Sequence, residues 1–456
     1  MIKVSSRKTL KLAIAFSIFL GTLLGINQAQ AKPIQVISIT HYPQVKTTGI
    51  YFDKFSYKPG EVIKYFANCS GSSYNFYLYQ QKDFYIRSTD LKFSKLKIPC
   101  ANKGIKPQDW NYSDLNINLS PGVYIGEIKD NKGNESFAPV VIEDTNSKHA
   151  GIAVVPFQTL YAYNLWTGKS AYLGDGDFAK RDRIIYFHQP LERDSGLGKF
   201  VSYVAPLVGE IEKSHLDITY IADTSLSSAN NPLLEHQAYI SMGHDEYWTK
   251  QERSNILAAR DSGSNLIFLG ANVAYWNVRL TEKNNQPAME IYKSASEDPN
   301  KSNPTNKFID QGLPESEITG LEYNCFPVQG TFIPEIKQSF IFQGVNPDEI
   351  SNYPRLVGPE VDELVPNDKG FKGKVIDLAL ALVRCGKTGN ELHGTSNIVY
   401  GISPNKVGTI SIGSMNWVGV GLRSGDKTPI GAFARKVTEN ILTAALKGKL
   451  GNLYQE

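Results

Sequence analysis

The chain has 456 residues, and its 48 lysines and arginines nearly balance 45 aspartates and glutamates, for a formal net charge of +3. The basic residues are scattered, so there is no electrostatic footprint for nucleic acid. Ordinary apolar and charged fractions exclude a disordered chain, and 24 tyrosines with 21 phenylalanines suit aromatic-rich β structure.

Residues 1–31 read as a secretory signal peptide. Lys3, Arg7, Lys8 and Lys11 form a basic start, Leu12 to Ile26 an apolar run, and Ala29-Gln30-Ala31 a small-residue cleavage pattern. The run is short for a bilayer span, with an uncleaved anchor as the alternative. No later segment has the apolar length to cross a membrane, so the expected location is periplasmic or secreted. Cleavage leaves about 425 residues, enough for two or three domains. Cys69 and Cys100 lie in the first half, Cys325 and Cys385 in the second. An oxidising compartment permits pairing within each half; free buried thiols are the alternative, and spacing does not choose.

From residue 32 to 147 the chain reads as a small antiparallel β-sandwich. Ile63, Tyr65, Ala67 and Cys69 alternate, Ser120-Pro121-Gly122 introduces a strand over Val123–Ile128, and Asn131-Lys132-Gly133-Asn134 turns into Phe137–Ile142. Thr145–His149 is a polar linker. Residues 148–456 then alternate between strand and helix. Strands are expected at Ile152–Pro156, Leu216–Ile221, Ala238–Met242, Leu266–Leu269 and Val407–Ile412. Helices are expected at Gly198–Lys213, Lys250–Asp261 and Pro429–Leu446, and a long surface loop at Asn284–Asn306. This alternation predicts an α/β domain with a mainly parallel sheet.

Ligands of open α/β sheets bind beyond the carboxyl ends of the strands. Four such ends carry polar and aromatic clusters: Tyr161-Ala162-Tyr163-Asn164-Leu165-Trp166, Gly243-His244-Asp245-Glu246-Tyr247-Trp248, Gly270-Ala271-Asn272 through Tyr275-Trp276, and Gly413-Ser414-Met415-Asn416-Trp417. His244, Asp245 and Glu246 are the densest titratable group. They offer a general base or metal ligands, or they cap the helix that begins near Thr249; both readings stand at this point. No Ser sits in a G-x-S-x-G elbow, and the histidines lack zinc-ligand spacing. His188 reads as a packing residue and Cys385 as structural.

Taken together, Ala162-Tyr163-Asn164-x-Trp166-x-Gly168-x-Ser170, Gly243 to Trp248, Gly270-Ala271-Asn272 with Tyr275-Trp276 and Arg279, and Gly413-Ser414-Met415-x-Trp417 are specific. The second part of the chain, roughly Ser120 to Leu446, resembles the C-terminal catalytic domain of the N,N-dimethylformamidase large (beta) subunit. The resemblance implies a glutamine-amidotransferase-like (flavodoxin-like) α/β fold without the cysteine nucleophile. It also implies one ferric iron held by two tyrosines and a glutamate. Tyr163 and Glu246 match two of these ligands, and Tyr124 in Ser120-Pro121-Gly122-Val123-Tyr124 matches the third. His244 and Asn272 match residues around the metal. Glu360 matches a further acid, with Glu363 competing, and Tyr161 and Tyr247 are the next phenolate candidates. By strand position alone, Tyr124 is a core residue.

Phenolate and carboxylate are hard oxygen donors suited to ferric iron, and an open coordination position polarises an amide carbonyl. Glu246, His244, Asn272 and Glu360 are the expected catalytic residues. Asn272 is expected to donate to the developing oxyanion. The expected function is therefore an exported metal-dependent hydrolase acting on a small-molecule amide. This chain is shorter than the family's subunit, so its small partner subunit and N,N-dimethylformamide itself are not carried over; a homo-oligomer is compatible. A non-catalytic glycan-binding protein using the tryptophan-rich edge, or a carboxylate-based glycoside hydrolase, are the alternative readings.

Overall fold

A computed structural model describes residues 48–454, apart from 85–89, 102, 105, 145–147, 367–369, 386–390 and the side chains of 391–393. The expected signal peptide and most of the expected linker lie outside the described residues.

The N-terminal part is β structure built on alternation. In Ile63–Asn68, Ile63, Tyr65 and Ala67 are buried while Lys64 and Phe66 are less so. This strand lies between Gly49–Phe52 and Asn111–Leu115 in a three-stranded antiparallel sheet. A five-stranded sheet runs Ser56–Tyr57, Glu135–Ile142, Gly122–Asp130, Ser73–Gln80, Leu91–Pro99, with only the first pair parallel. Tyr65, Phe76, Leu78, Tyr124 and Ile128 share one core. A Cys69–Cys100 disulfide lies at its margin, with Cα atoms 5.5 Å apart. Strand Gly122–Asp130 serves two cores at once. Tyr124 and Ile128 face this one, whereas Val123 and Ile125 point into the main core of the molecule, as the period of two dictates.

The main sheet comprises β1 (Gly151–Val155), β2 (Ile218–Ala222), β3 (Ala238–Ser241), β4 (Asn265–Phe268), β5 (Val328–Gln329), β6 (Ile333–Pro334), β7 (Lys374–Cys385), β8 (Glu391–Ile402) and β9 (Gly408–Ile412). Its order is β2-β1-β3-β4-β9-β8-β7-β5, with β6 also on β7. Pairs from β2 to β9 are parallel. Every pair beyond β9 is antiparallel. The principal helices are α1 (Phe157–Ala162), α2 (Ala205–Lys213), α3 (Lys250–Ser262) and α4 (Pro429–Lys447). The helix expected over Gly198–Lys213 is divided at Val204, just ahead of Pro206, because proline suits a helix's first turn but not its interior. In α3, Thr249 and Glu252 form a reciprocal capping box, worth about 1 kcal/mol. The wholly buried Ile256 adds roughly 2 kcal/mol.

These strands correct the expected fold class. The molecule is not the mainly parallel, flavodoxin-like or glutamine-amidotransferase-like α/β protein the sequence predicted. Strand exceeds helix, and the strands are distributed over several mixed and antiparallel sheets. Two features went unread. The apolar run Ile376–Val383 belongs to β7, half of a long antiparallel hairpin with β8. The expected loop Asn284–Asn306 begins with a second hairpin, Trp276–Lys283 on Gln286–Glu290, turned by Asn284 and Asn285 at φ 52° and 56°. Positive φ at both turn positions marks the mirror-image turns that match strand twist, and asparagine tolerates it. In the second half, Cys325 and Cys385 form a disulfide.

Candidate active site

The site is assembled at the ends of β1, β3 and β4. After β1, Pro156 and the short helix α1 deliver Tyr163 as the residue that ends the helix. Ala171 N–H bonds Ala162 O at 2.9 Å, and Tyr172 N–H bonds Ser170 Oγ at 3.2 Å. This return of the chain stacks the Tyr172 ring on Tyr163, with centroids 4.8 Å apart.

After β3 the chain turns sharply at Gly243, where φ is 67° and an added Cβ would lie 2.2 Å from Tyr203 O; glycine is required there. The following loop is stitched on both sides. Thr159 Oγ1 accepts from Glu246 N–H at 2.9 Å and from Tyr247 N–H at 3.2 Å. Glu246 O accepts from Tyr275 and Trp276 N–H, each at 3.0 Å. Glu246 is thereby fixed from its main chain outward. It does not cap α3, since Thr249 and Glu252 do so. Asp245 points the other way, accepts from Ser241 Oγ at 2.8 Å, and is pushed up to about 6 by burial.

Both oxygens of the Glu246 carboxylate carry a phenol. Tyr163 Oη donates to Oε2 at 2.6 Å and Tyr172 Oη to Oε1 at 2.5 Å. His244 Nε2 lies 3.3 Å from Oε2 and 3.4 Å from Tyr163 Oη. Burial opposes the charge on Glu246, but His244, Lys293 and Tyr163 outweigh it and hold the carboxyl down at about 2. Burial first, and then the same carboxylate, raise both phenols well above the usual tyrosine range. The pair therefore stands as neutral donors around a fixed negative charge.

Asn272, after β4, sits at φ 58°. Its N–H is held by Asp362 Oδ1 at 2.7 Å, and its Nδ2 donates to Glu360 Oε2 at 2.6 Å. Glu360 is near enough for its charge to bear on Tyr163, Lys199 and Lys293. Glu363 turns elsewhere, accepting from Asn324 Nδ2 at 3.1 Å and Thr395 N–H at 3.3 Å. Among the described residues, Asn272 Oδ1 and His244 Nδ1 are buried without a hydrogen-bond partner. The first belongs to the residue that donates to Glu360 and the second to the residue beside Glu246, so each leaves a polar atom open to a ligand.

Tyr124 requires a correction. Its hydroxyl donates to Ser120 O at 2.8 Å and its ring is packed in the N-terminal core. Strand alternation turns it away from the main core that its neighbours Val123 and Ile125 enter. Tyr172 stands beside Glu246 instead. Of the other phenol candidates, Tyr161 donates to Gln189 O at 3.0 Å, outside the cluster. Tyr247 meets both stacked rings edge-on and accepts from Lys293 Nζ at 2.6 Å.

Lys293 and Lys199 were not read from the sequence. Lys293 lies in the expected surface loop yet is buried, its Nζ 3.2 Å from the Tyr172 ring centroid. Lys199 Nζ lies 3.3 Å from the Tyr163 ring centroid. Burial pulls Lys293 down to about 7 and Lys199 to about 8. His188, read as a packing residue, lies against Tyr51 with its Nε2 3.1 Å from Asp53 O.

Among the described residues, no three His, Cys, Asp or Glu side chains gather as a metal-binding group. The Tyr163–Tyr172–Glu246 set is of another kind, two phenols and one carboxylate, all hard oxygen donors. That donor chemistry fits a hard cation.

A buried carboxylate met by two phenols and a histidine, with two lysines over the phenol rings and an Asn272–Glu360 pair at the end of β4, defines an enzyme-like centre at strand ends. The profile of the family described as N,N-dimethylformamidase beta subunit-like, C-terminal, matches residues 100–428, and the chain belongs to that family. Membership points to a hydrolase of amide substrates without specifying the amide. No curated protein matches the chain. Two solved structures share 9% identity with it. One is a Paenibacillus sp. cycloisomaltooligosaccharide glucanotransferase in complex with cycloisomaltoheptaose, matched over 54% of this chain and 33% of that one at a TM-score of 0.16. The other is a cell-surface-expressed multi-modular chitinase from Paenibacillus sp. str. FPU-7, matched over 51% and 25% at a TM-score of 0.17. The matched share is thus a third or less of each of those chains, and at such scores neither bears on fold or function.

Proposed function

We propose that this protein is an exported, metal-dependent hydrolase of amide C–N bonds, with Tyr163, Tyr172 and Glu246 holding one hard cation, ferric iron by donor chemistry. The observation that carries the reading is that two phenols converge on the two oxygens of one fully buried carboxylate. Export rests on the basic, apolar and small-residue succession of residues 1–31. Once held there, such an ion supplies Lewis-acid polarisation of an amide carbonyl and acidifies water.

The remaining roles belong to side chains of this chain. The phenol protons that Tyr163 and Tyr172 donate to Glu246 must leave for both tyrosines to act as anionic donors, which makes cation uptake favoured as pH rises. Nδ2 of Asn272 gives one N–H to Glu360, and its second N–H is available to the substrate carbonyl oxygen. Glu360 and Asp362 keep that amide and its left-handed backbone in place. His244, anchored through Nε2, keeps Nδ1 for a proton on its way from water to the leaving amine.

A panel of small amides assayed for amine release tests this. The protein as purified is expected to cleave at least one member. Chelator-stripped protein is expected to lose more than about nine-tenths of that rate, and to regain it with iron. Full hydrolysis after metal removal would refute the metal-dependent reading.

A further inference from the structure

The two lysines beside the tyrosine stack are held differently. Lys293 is satisfied by the protein: its ammonium donates to Tyr247 Oη and lies over the rings of Tyr172, Trp276 and Tyr247, at 3.2, 4.7 and 5.0 Å from their centroids. Lys199 has only the face of Tyr163. Among the described residues its Nζ makes no hydrogen bond and no carboxylate lies within ion-pairing distance, although Glu360 and Glu246 act on it from farther off. Lys199 is partly exposed, so its three donors are open to an arriving anion rather than held by the protein. Its place is specific: it rests on the ring whose hydroxyl touches Glu246.

We propose that Lys199 binds a carboxylate of the substrate, so that the natural substrates are amides carrying a carboxylate a few bonds from the scissile carbon. An anion on Lys199 would lie beside the reacting centre, where an attached amide carbonyl reaches the Tyr163–Tyr172–Glu246 cluster. A neutral amide leaves the ammonium unpaired and gains nothing from it. Two arrangements share this chemistry, with the carboxylate on the acyl side or on the amine side of the bond. The inference rests on the amide-hydrolase reading for its substrate class but not for its binding site.

Two matched pairs test it: succinamate against butyramide for the acyl side, and N-acetylglycine against N-ethylacetamide for the amine side. Binding is measured by calorimetry and turnover by amine release, on wild type, Lys199→Met and Lys199→Arg. In at least one pair the carboxylated member is expected to bind at least about tenfold more tightly, as for a charge-assisted hydrogen bond. Lys199→Met is expected to bring that pair to parity, and Lys199→Arg to keep part of the preference. Equal binding within both pairs, or a preference that survives in Lys199→Met, overturns the proposal. Carboxylate-selective binding without cleavage of any amide would uphold the binding site and defeat the hydrolase reading.

Discussion

Glu246→Gln is expected to lower kcat/KM for the best amide by about a thousandfold or more, with a far smaller change in thermal stability. The size follows from what meets at this side chain. Tyr163 and Tyr172 each donate to one of its oxygens, and His244 lies 3.3 Å away. Glutamine is the same shape but offers one oxygen and one NH2 group, so one phenol faces another donor. The negative charge of the proposed cation site also disappears. Losing one preorganised polar group from such a centre typically costs a hundredfold to a thousandfold, and Glu246 joins three. Steady-state kinetics and a melting curve on the same preparation separate the two effects. Less than a tenfold loss would remove Glu246 from the reaction.

The second large effect is structural and lies behind Lys293. Asp298 is buried and organises the segment after Gln286–Glu290 that returns Lys293 to the site. Its carboxylate accepts from Arg279 Nη1 and Nη2, each at 2.8 Å, from Thr305 N–H at 2.7 Å and Oγ1 at 2.6 Å, and from Asn300 N–H at 2.9 Å. Asp298→Ala leaves Arg279 with Glu290 and a carbonyl, and strips three donors in the loop. Breaking a buried pair by removing one partner costs about 3 kcal/mol. That loss is expected in denaturant unfolding, with earlier proteolysis within residues 291–306. Burial opposes the Asp298 charge, but Arg279 and Thr305 outweigh it and hold the carboxyl well below the usual range. A depressed native pKa gives stability that is full above the unfolded aspartate value, near 4, and is lost as pH falls through the native value. The gap between wild type and Asp298→Ala should therefore narrow in acid. A gap that widens in acid, or no gap at pH 7, would contradict this account of the loop.

Sequence reading went furthest where chemistry and strand ends coincide. The blocks after β1, β3 and β4 were legible because a buried apolar run followed by Gly, His, Asp, Glu, Asn and Tyr is unusual unless the polar residues share a purpose. Tyr163, His244 and Glu246 do meet, and Asn272 meets Glu360. Tyr172 was missed although it follows the recognised Gly168-x-Ser170 by two residues. Nothing local distinguishes a tyrosine that folds back onto Tyr163 from one that packs, because the contact is made by a loop. Tyr124 misled for the opposite reason: its motif was visible, but alternation along one strand decides which of two cores it enters. The fold class failed at range. Buried parallel strands separated by helices were read correctly one at a time, while the β7–β8 hairpin that makes the sheet mixed depends on pairing between distant segments, which period and propensity do not encode. Lys293 looked exposed because a polar stretch hides the residues in it that turn inward, Lys293, Asp298 and Thr305 among them.

Metal content and visible absorption of the purified protein, measured in parallel on wild type and on Tyr163→Phe, Tyr172→Phe and Tyr124→Phe, test the central claim. Wild type should carry about one iron per chain with a phenolate charge-transfer colour. Either of the first two changes should bleach or shift that colour and lower the bound iron. Tyr124→Phe should keep both and lose only about 1 kcal/mol of stability, from its hydroxyl on Ser120 O. A colourless protein free of metal, or one whose colour depends on Tyr124 and not on Tyr172, would contradict the account.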